Sequence, residues 1–262
     1  MNEMLETKID HVGHFDKSYD DFNYARWRLE DIFSFYHHSR IIQTALIGSA
    51  PSLYLLDVGC GPGVDAITLA DYAGKIVGID FSPKAIKIAQ ELAKEYRKDS
   101  KLSFLCCDAE KLPFEEKTFD AVFCMNFLHH LERPEKALQE MARVLKKGGK
   151  LLVVEMNPRN IQMNIISRLL KHERLILRNS PQYLKSLFVQ AGFLKIEMSF
   201  QEYVCQPLVS YYLRKKLLFS MIEKESSFGR LITKIYGYKN SLFKRIPLIK
   251  NLTTYIVIQA ER

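Results

Sequence analysis

No apolar run in this 262-residue chain reaches the ~20 residues that a helix needs to cross a bilayer. A helical membrane span is therefore excluded. Met1–Lys8 lacks the basic-then-apolar pattern of a secretion signal, so the expected location is cytoplasmic. Cysteine is sparse and odd in number, with five residues at positions 60, 106, 107, 124 and 205. Their spacing matches neither a metal centre nor a disulfide scaffold. Free thiols in a reducing compartment are expected, and no metal. The adjacent Cys106 and Cys107 fall on a strand-like run that would send them to opposite faces, and we expect both in the core. Internal repeats and low-complexity tracts are absent as well.

What is present begins at Leu53-Tyr-Leu-Leu-Asp-Val-Gly-Cys-Gly-Pro-Gly-Val64. A short apolar run of buried-strand length ends in an acid, Asp57. Gly59, Gly61 and Gly63 follow at alternate positions, and a periodic segment from Val64 to Tyr72 predicts a helix opening directly from the loop. Glycines there permit positive φ and let a ligand lie against bare backbone. A dinucleotide fingerprint would need its third glycine at position 64, where Val64 stands. Lys75–Asp80 is a second buried-type strand, and its terminal acid comes 21 residues after Gly59, where a parallel βαβ unit presents a carboxylate to ribose hydroxyls. Ser82-Pro83, and later Ser180-Pro181, each start a helix with a capping residue and a proline. Leu102–Asp108 is a third strand ending in an acid, and Phe119–Met125 a fourth. Leu145–Glu155 reads as a helix end, a Gly-Gly break and a fifth strand. Three successive strands thus carry Asp57, Asp80 and Asp108 to one edge of a sheet.

The pattern D-x-G-x-G-x-G resembles motif I of the class I S-adenosylmethionine-dependent methyltransferases. The block Asp108-Ala-Glu-Lys-Leu-Pro-Phe114, Phe119-Asp120, Leu128-His-His-Leu131 and Leu145-Lys-Lys-Gly-Gly149 is similar to the branch that methylates small molecules, quinones and lipids. Lys147 departs from it, standing where that branch usually has proline. The likeness covers about residues 50–160. It implies an α/β Rossmann-like fold: seven mostly parallel strands in the order 3-2-1-4-5-7-6, the last antiparallel, with helices on both faces. It also implies S-adenosylmethionine as cofactor and S-adenosylhomocysteine as product. Position by position, Asp57 and the backbone of Gly59, Cys60, Gly61 and Gly63 would hold the methionine end. Asp80 would bind the ribose diol and Phe81 would pack beside the adenine. Asp108 and Ala109 would read the adenine edge, and Asn126 and Phe127 would flank the methionine moiety. His129, His130 and Glu155 lie at or near the strand ends, where a base could act if the acceptor must lose a proton.

Residues 1–50 form an aromatic-rich N-terminal cap with Tyr19, Tyr24 and Arg26 as candidate contacts to cofactor or substrate; Tyr19 and Arg26 are taken as cofactor contacts. The domain is read as one unit: cap, core over 51–205 and 251–262, and a helical insertion over 206–250 between the sixth and seventh strands. The insertion holds ten Lys and Arg against Glu223 and Glu225, so ten minus two equals the formal +8 of the whole chain. Its mixed aromatic and aliphatic content leaves three uses open: a solvated lid, a lipid-facing surface at the inner side of a membrane, or a nucleic-acid surface. The expected function is methyl transfer to a small, apolar or lipid-like acceptor. RNA or tRNA methylation and a non-catalytic cofactor-binding module are the alternatives.

Overall fold

The computed structural model describes residues 40–42, 45–46, 52–201 and 253–262. They contain a seven-stranded sheet in the order β3-β2-β1-β4-β5-β7-β6. The strands are β1 (Tyr54–Val58), β2 (Lys75–Asp80), β3 (Leu102–Cys106), β4 (Phe119–Met125), β5 (Leu145–Met156), β6 (Leu194–Gln201) and β7 (Tyr255–Glu261). β1 to β5 pair in parallel, whereas β7 runs antiparallel to β5 and β6. This is the order and the single reversal that the sequence led us to expect.

Helices cover both faces, as a parallel sheet requires. Because side chains alternate along a strand, β1 sends Leu55 into one core and Leu56 and Val58 into the other. The first core is closed by α1 (Val64–Leu69) and α2 (Pro83–Glu95), joined by the buried Ile41 and Ile42 of the helical Arg40–Ile42. The second is closed by α3 (Pro134–Val144) and α5 (Pro181–Gln190). Between β5 and α5 lie α4 (Ile161–Leu169) and a 3-10 segment, Lys171–Arg178. Both expected Ser-Pro starts are present. Ser82 accepts from the Ala85 amide at 3.0 Å and Ser180 from the Tyr183 amide at 3.2 Å, which satisfies amides that the first turn leaves over. Among the described residues no helix is long and apolar enough to cross a membrane.

Three local expectations are corrected. The helix after the glycine loop ends at Leu69 instead of Tyr72. Leu145 begins β5 immediately after α3 with no intervening helix end, because it already pairs with Phe119; a register shift between Phe119 and Ala121 then absorbs the glycines. Cys106 and Cys107 are not core: Cys106 is exposed and Cys107 half-buried. The reason is position, since β3 is the sheet edge, where one side of the strand is left uncovered. The four described cysteines are free thiols. Cys205 and the insertion over 206–250 lie outside the described residues, as do most of the cap and its Tyr19, Tyr24 and Arg26.

The segment that follows Asp108 is fixed from below. The Arg143 guanidinium makes two bonds to the Glu140 carboxylate at 2.7 and 2.8 Å and donates to the carbonyls of Phe114 and Leu112 at 2.8 and 3.0 Å. Glu140 in turn accepts from the Leu112 amide at 2.8 Å. A lysine has the charge but not the fork. We predict that Arg143→Lys lowers stability by about 1–3 kcal/mol, read as a lower thermal midpoint with the circular dichroism spectrum of the folded protein unchanged.

Candidate functional site

The carboxyl ends of β1, β2 and β4 meet at the glycine loop. Gly59 and Cys60 donate their amides to the Ile79 carbonyl at 2.8 and 2.9 Å, which carries the β1–β2 ladder past the strand end. The Gly61 amide then donates to Asp80 Oδ2 at 2.8 Å, and the Ser82 amide to Oδ1 at 2.9 Å. Asp80 is thus held across the mouth of the loop with one backbone donor on each oxygen. Gly59, Gly61 and Gly63 all have positive φ, at 72°, 51° and 76°. At Gly59 the requirement is double, since a Cβ would lie 2.7 Å from Cγ and 2.9 Å from Cε2 of Phe127. The Phe127 ring therefore rests on bare Gly59 backbone.

Asp57 sits behind this loop, 2% exposed, with its Oδ2 making no hydrogen bond. Burial drives its carboxyl well above the ordinary 3.8, and the nearby charges of Asp65 and Asp80 push it further in the same direction. Burial likewise raises the Cys60 thiol, so that side chain packs as a neutral group. Across the loop, Asn126 takes a left-handed conformation with φ of 51°, and its amide donates to the Val154 carbonyl at 2.8 Å. Its Oδ1 is buried without a hydrogen bond. Phe81 is 39% exposed at the end of β2. Beside it, Asp108 lies two residues beyond β3 and accepts from the Glu110 amide at 2.9 Å, next to the buried Ala109.

Below Phe127 the three candidate bases form one network. Glu155, near the end of β5, is fully buried. Its Oε1 accepts from the amides of Phe127 and Leu128 at 3.0 and 2.7 Å. Its Oε2 meets His129 Nδ1 at 2.7 Å and the Asn179 side-chain amide at 3.0 Å. With four donors on two oxygens, Glu155 is the least available of the three to a reacting proton. His129 is itself buried, and its Nε2 stands 3.4 Å from Glu173 Oε2. Burial alone depresses the imidazole pKa, but Glu155 first and Glu173 second outweigh it and hold His129 up at about 9. His130 stacks on His129 with ring centroids 3.9 Å apart.

The structure thus brings together Asp57, Gly59, Cys60, Gly61, Gly63, Asp80, Asn126 and Phe127, with Phe81, Asp108 and Ala109 on the adjoining strand ends. It separates His129 and Glu155 from that loop by the thickness of the Phe127 turn. Glu173 and Asn179 carried no sequence signal: one lies in a 3-10 segment, the other one residue ahead of a helix cap, and only the fold brings them to Glu155 and His129. We predict that Gly59→Ala destabilises the protein by at least about 1–2 kcal/mol, because a left-handed non-glycine residue is strained and the Phe127 ring must move. A denaturant titration measures it, and an unchanged midpoint would contradict the close approach described above.

Comparison with known proteins adds the following. Residues 56–153 match the family model described as a methyltransferase domain. The chain is 38% identical over 109 residues to a demethylmenaquinone methyltransferase of Renibacterium salmoninarum, a match covering 42% of this chain and 44% of that protein. It is 30% identical over 105 residues to sterol 4-C-methyltransferase of Caenorhabditis elegans, covering 40% of this chain and 31% of that protein. The chain therefore spans less than half the length of these relatives. Among solved structures, phosphoethanolamine N-methyltransferase 2 of Haemonchus contortus, in complex with phosphomonomethylethanolamine and S-adenosylhomocysteine, shares the fold. There the TM-score is 0.67 at 19% identity, over 95% of this chain and 59% of that one.

Proposed function

We propose that the chain, whose residues 56–153 match a methyltransferase-domain family model, is a class I S-adenosylmethionine-dependent methyltransferase that methylates a small, apolar or lipid-like acceptor. When bound, the cofactor supplies a methyl group on a sulfonium, already activated for in-line displacement. The protein's own work is then alignment and exclusion of water.

One observation carries the cofactor reading: the buried Asp57 Oδ2 has no hydrogen bond and stands beside a positive-φ glycine backbone. An isolated buried carboxylate is costly, and a ligand with a positively charged amino group relieves that cost. The amino-acid end of S-adenosylmethionine has one. Asp80, already oriented by Gly61 and Ser82, keeps lone pairs for a ribose diol. Phe81 offers an exposed ring for the adenine, and Asp108 with the Ala109 backbone stands where the adenine edge would be read. Asn126 Oδ1, buried without a hydrogen bond, and Phe127 flank the methionine end. Glu155 acts as a positioning residue that fixes the Phe127 turn, and in the cation-free protein His130 is the proposed base of the three. Tyr19 and Arg26 remain proposed contacts from the cap.

The acceptor class rests on the named relatives, one acting on a sterol and one on demethylmenaquinone, and on the basic, aromatic-rich 206–250 segment. We assign that segment to acceptor delivery, with peripheral contact to an anionic membrane face, within one domain spanning the chain.

Calorimetry should show one S-adenosylmethionine or S-adenosylhomocysteine per chain, and Asp80→Ala should weaken binding by about 1–3 kcal/mol. No binding by the wild type sinks the reading. Asp57 adds a pH test. Its native carboxyl holds a proton more tightly than the unfolded chain does, so stability of the cofactor-free protein falls as pH rises from the ordinary carboxyl range through the native value. Asp57→Asn should remove that fall, raising the thermal midpoint at neutral pH while weakening cofactor binding. A variant that loses stability at neutral pH would show that Asp57 serves the fold instead.

A further inference from the structure

The environment of His129 is asymmetric. On one side Glu155 Oε2 closes on Nδ1 at 2.7 Å, a normal charge-assisted hydrogen bond. On the other, Nε2 and Glu173 Oε2 stop at 3.4 Å. That gap is too long for such a bond. It has a natural measure. Two ligands each about 2.0–2.1 Å from an ion in tetrahedral geometry stand about 3.3–3.4 Å apart. His130 supplies a third donor: one ligand atom from each of His129, His130 and Glu173 lies within 4.8 Å of the others. Closing the widest separation to a tetrahedral edge takes about 1–1.5 Å of side-chain movement.

A second observation is independent of these distances. Metal-binding imidazoles typically donate their other ring N–H to a carboxylate, which sets the tautomer and strengthens the ligand nitrogen. Glu155 provides that carboxylate, and Asn179 at 3.0 Å orients it. His129 thus has its Nδ1 engaged and its Nε2 turned to the cluster, which among the described residues includes no cysteine.

We propose that His129, His130 and Glu173 bind one borderline divalent cation of the Zn2+ type. Two imidazoles and one carboxylate are the ligand set of an open zinc site, with a position left for a small ligand. The same nitrogen-rich set selects against Mg2+, which demands oxygen and near-octahedral geometry. The cation site shares no residue with the glycine loop and does not depend on the cofactor reading.

The test uses the full chain stripped with chelator and titrated with ZnCl2, followed by desalting and elemental analysis. One zinc per chain is expected, and Mg2+ in excess should not displace it. Glu173→Gln and His130→Asn should each reduce zinc affinity about tenfold or more, with metal-free thermal melts reporting that both variants fold. Wild-type protein that retains no zinc overturns the proposal. So does zinc retained equally by both variants. Cobalt substitution of the wild type is the check that needs no variant. Nitrogen and oxygen ligand-field bands alone support the site, whereas a thiolate-to-cobalt charge-transfer band places the ion on Cys106 or Cys107 and overturns it. Zinc bound without any S-adenosylmethionine binding would remove the methyl-transfer reading and leave the cation site standing; the converse result would do the reverse.

Discussion

The site depends on one buried carboxylate. Glu155 lies in the sheet interior where an uncompensated charge is expensive, and it is compensated by four donors drawn from three places: the Phe127–Leu128 amides, His129 and Asn179. Each donor is thereby fixed. The two amides lock the turn after β4, and that turn sets the Phe127 ring against Gly59. Asn179 ties in the approach to α5. A loss at Glu155 would therefore propagate through the turn to the glycine loop, although no Glu155 atom is bonded to that loop.

The carboxyl edge of the sheet concentrates negative charge where little solvent reaches it. Burial raises the proton affinity of Asp57, and the charges of Asp65 and Asp80 raise it further, the opposite of what a stability-driven arrangement would select. Asp80 is relieved by two backbone amides, whereas Asp57 is left with an oxygen lacking a hydrogen bond. Local conflict of this kind is expected where a fold holds groups ready for a ligand. It sits at the switch between β1 and β4, the place where open α/β sheets take their ligands.

Much of this was legible in the residues, for reasons that differ by element. Ser82-Pro83 and Ser180-Pro181 announce helix starts because capping is local chemistry, settled within four residues. The alternation in Leu55-Leu56-Asp57-Val58 and the positive-φ demand of Gly59, Gly61 and Gly63 are likewise local. The reading of Cys106 and Cys107 as core went wrong because strand periodicity says which faces side chains take, while only the sheet order says that β3 is an edge. The boundary at Leu145 was misread for a related reason. Whether a residue closes a helix or opens a strand there was decided by its pairing with Phe119, across 26 positions of sequence.

By itself, the sequence determined a parallel α/β core with a glycine loop and three acids near successive strand ends, since backbone conformation and burial pattern act over a few residues. The tertiary structure alone decided which polar groups share an environment. Glu155 meets the 127–129 turn, Glu173 meets His129, and Asn126 faces the loop only because β4 lies between β1 and β5 and the 171–178 segment packs against the 128–130 turn. Those contacts join residues far apart in the chain, and no local propensity encodes them. Hydrogen bonding and charge at close range do, once packing has excluded water.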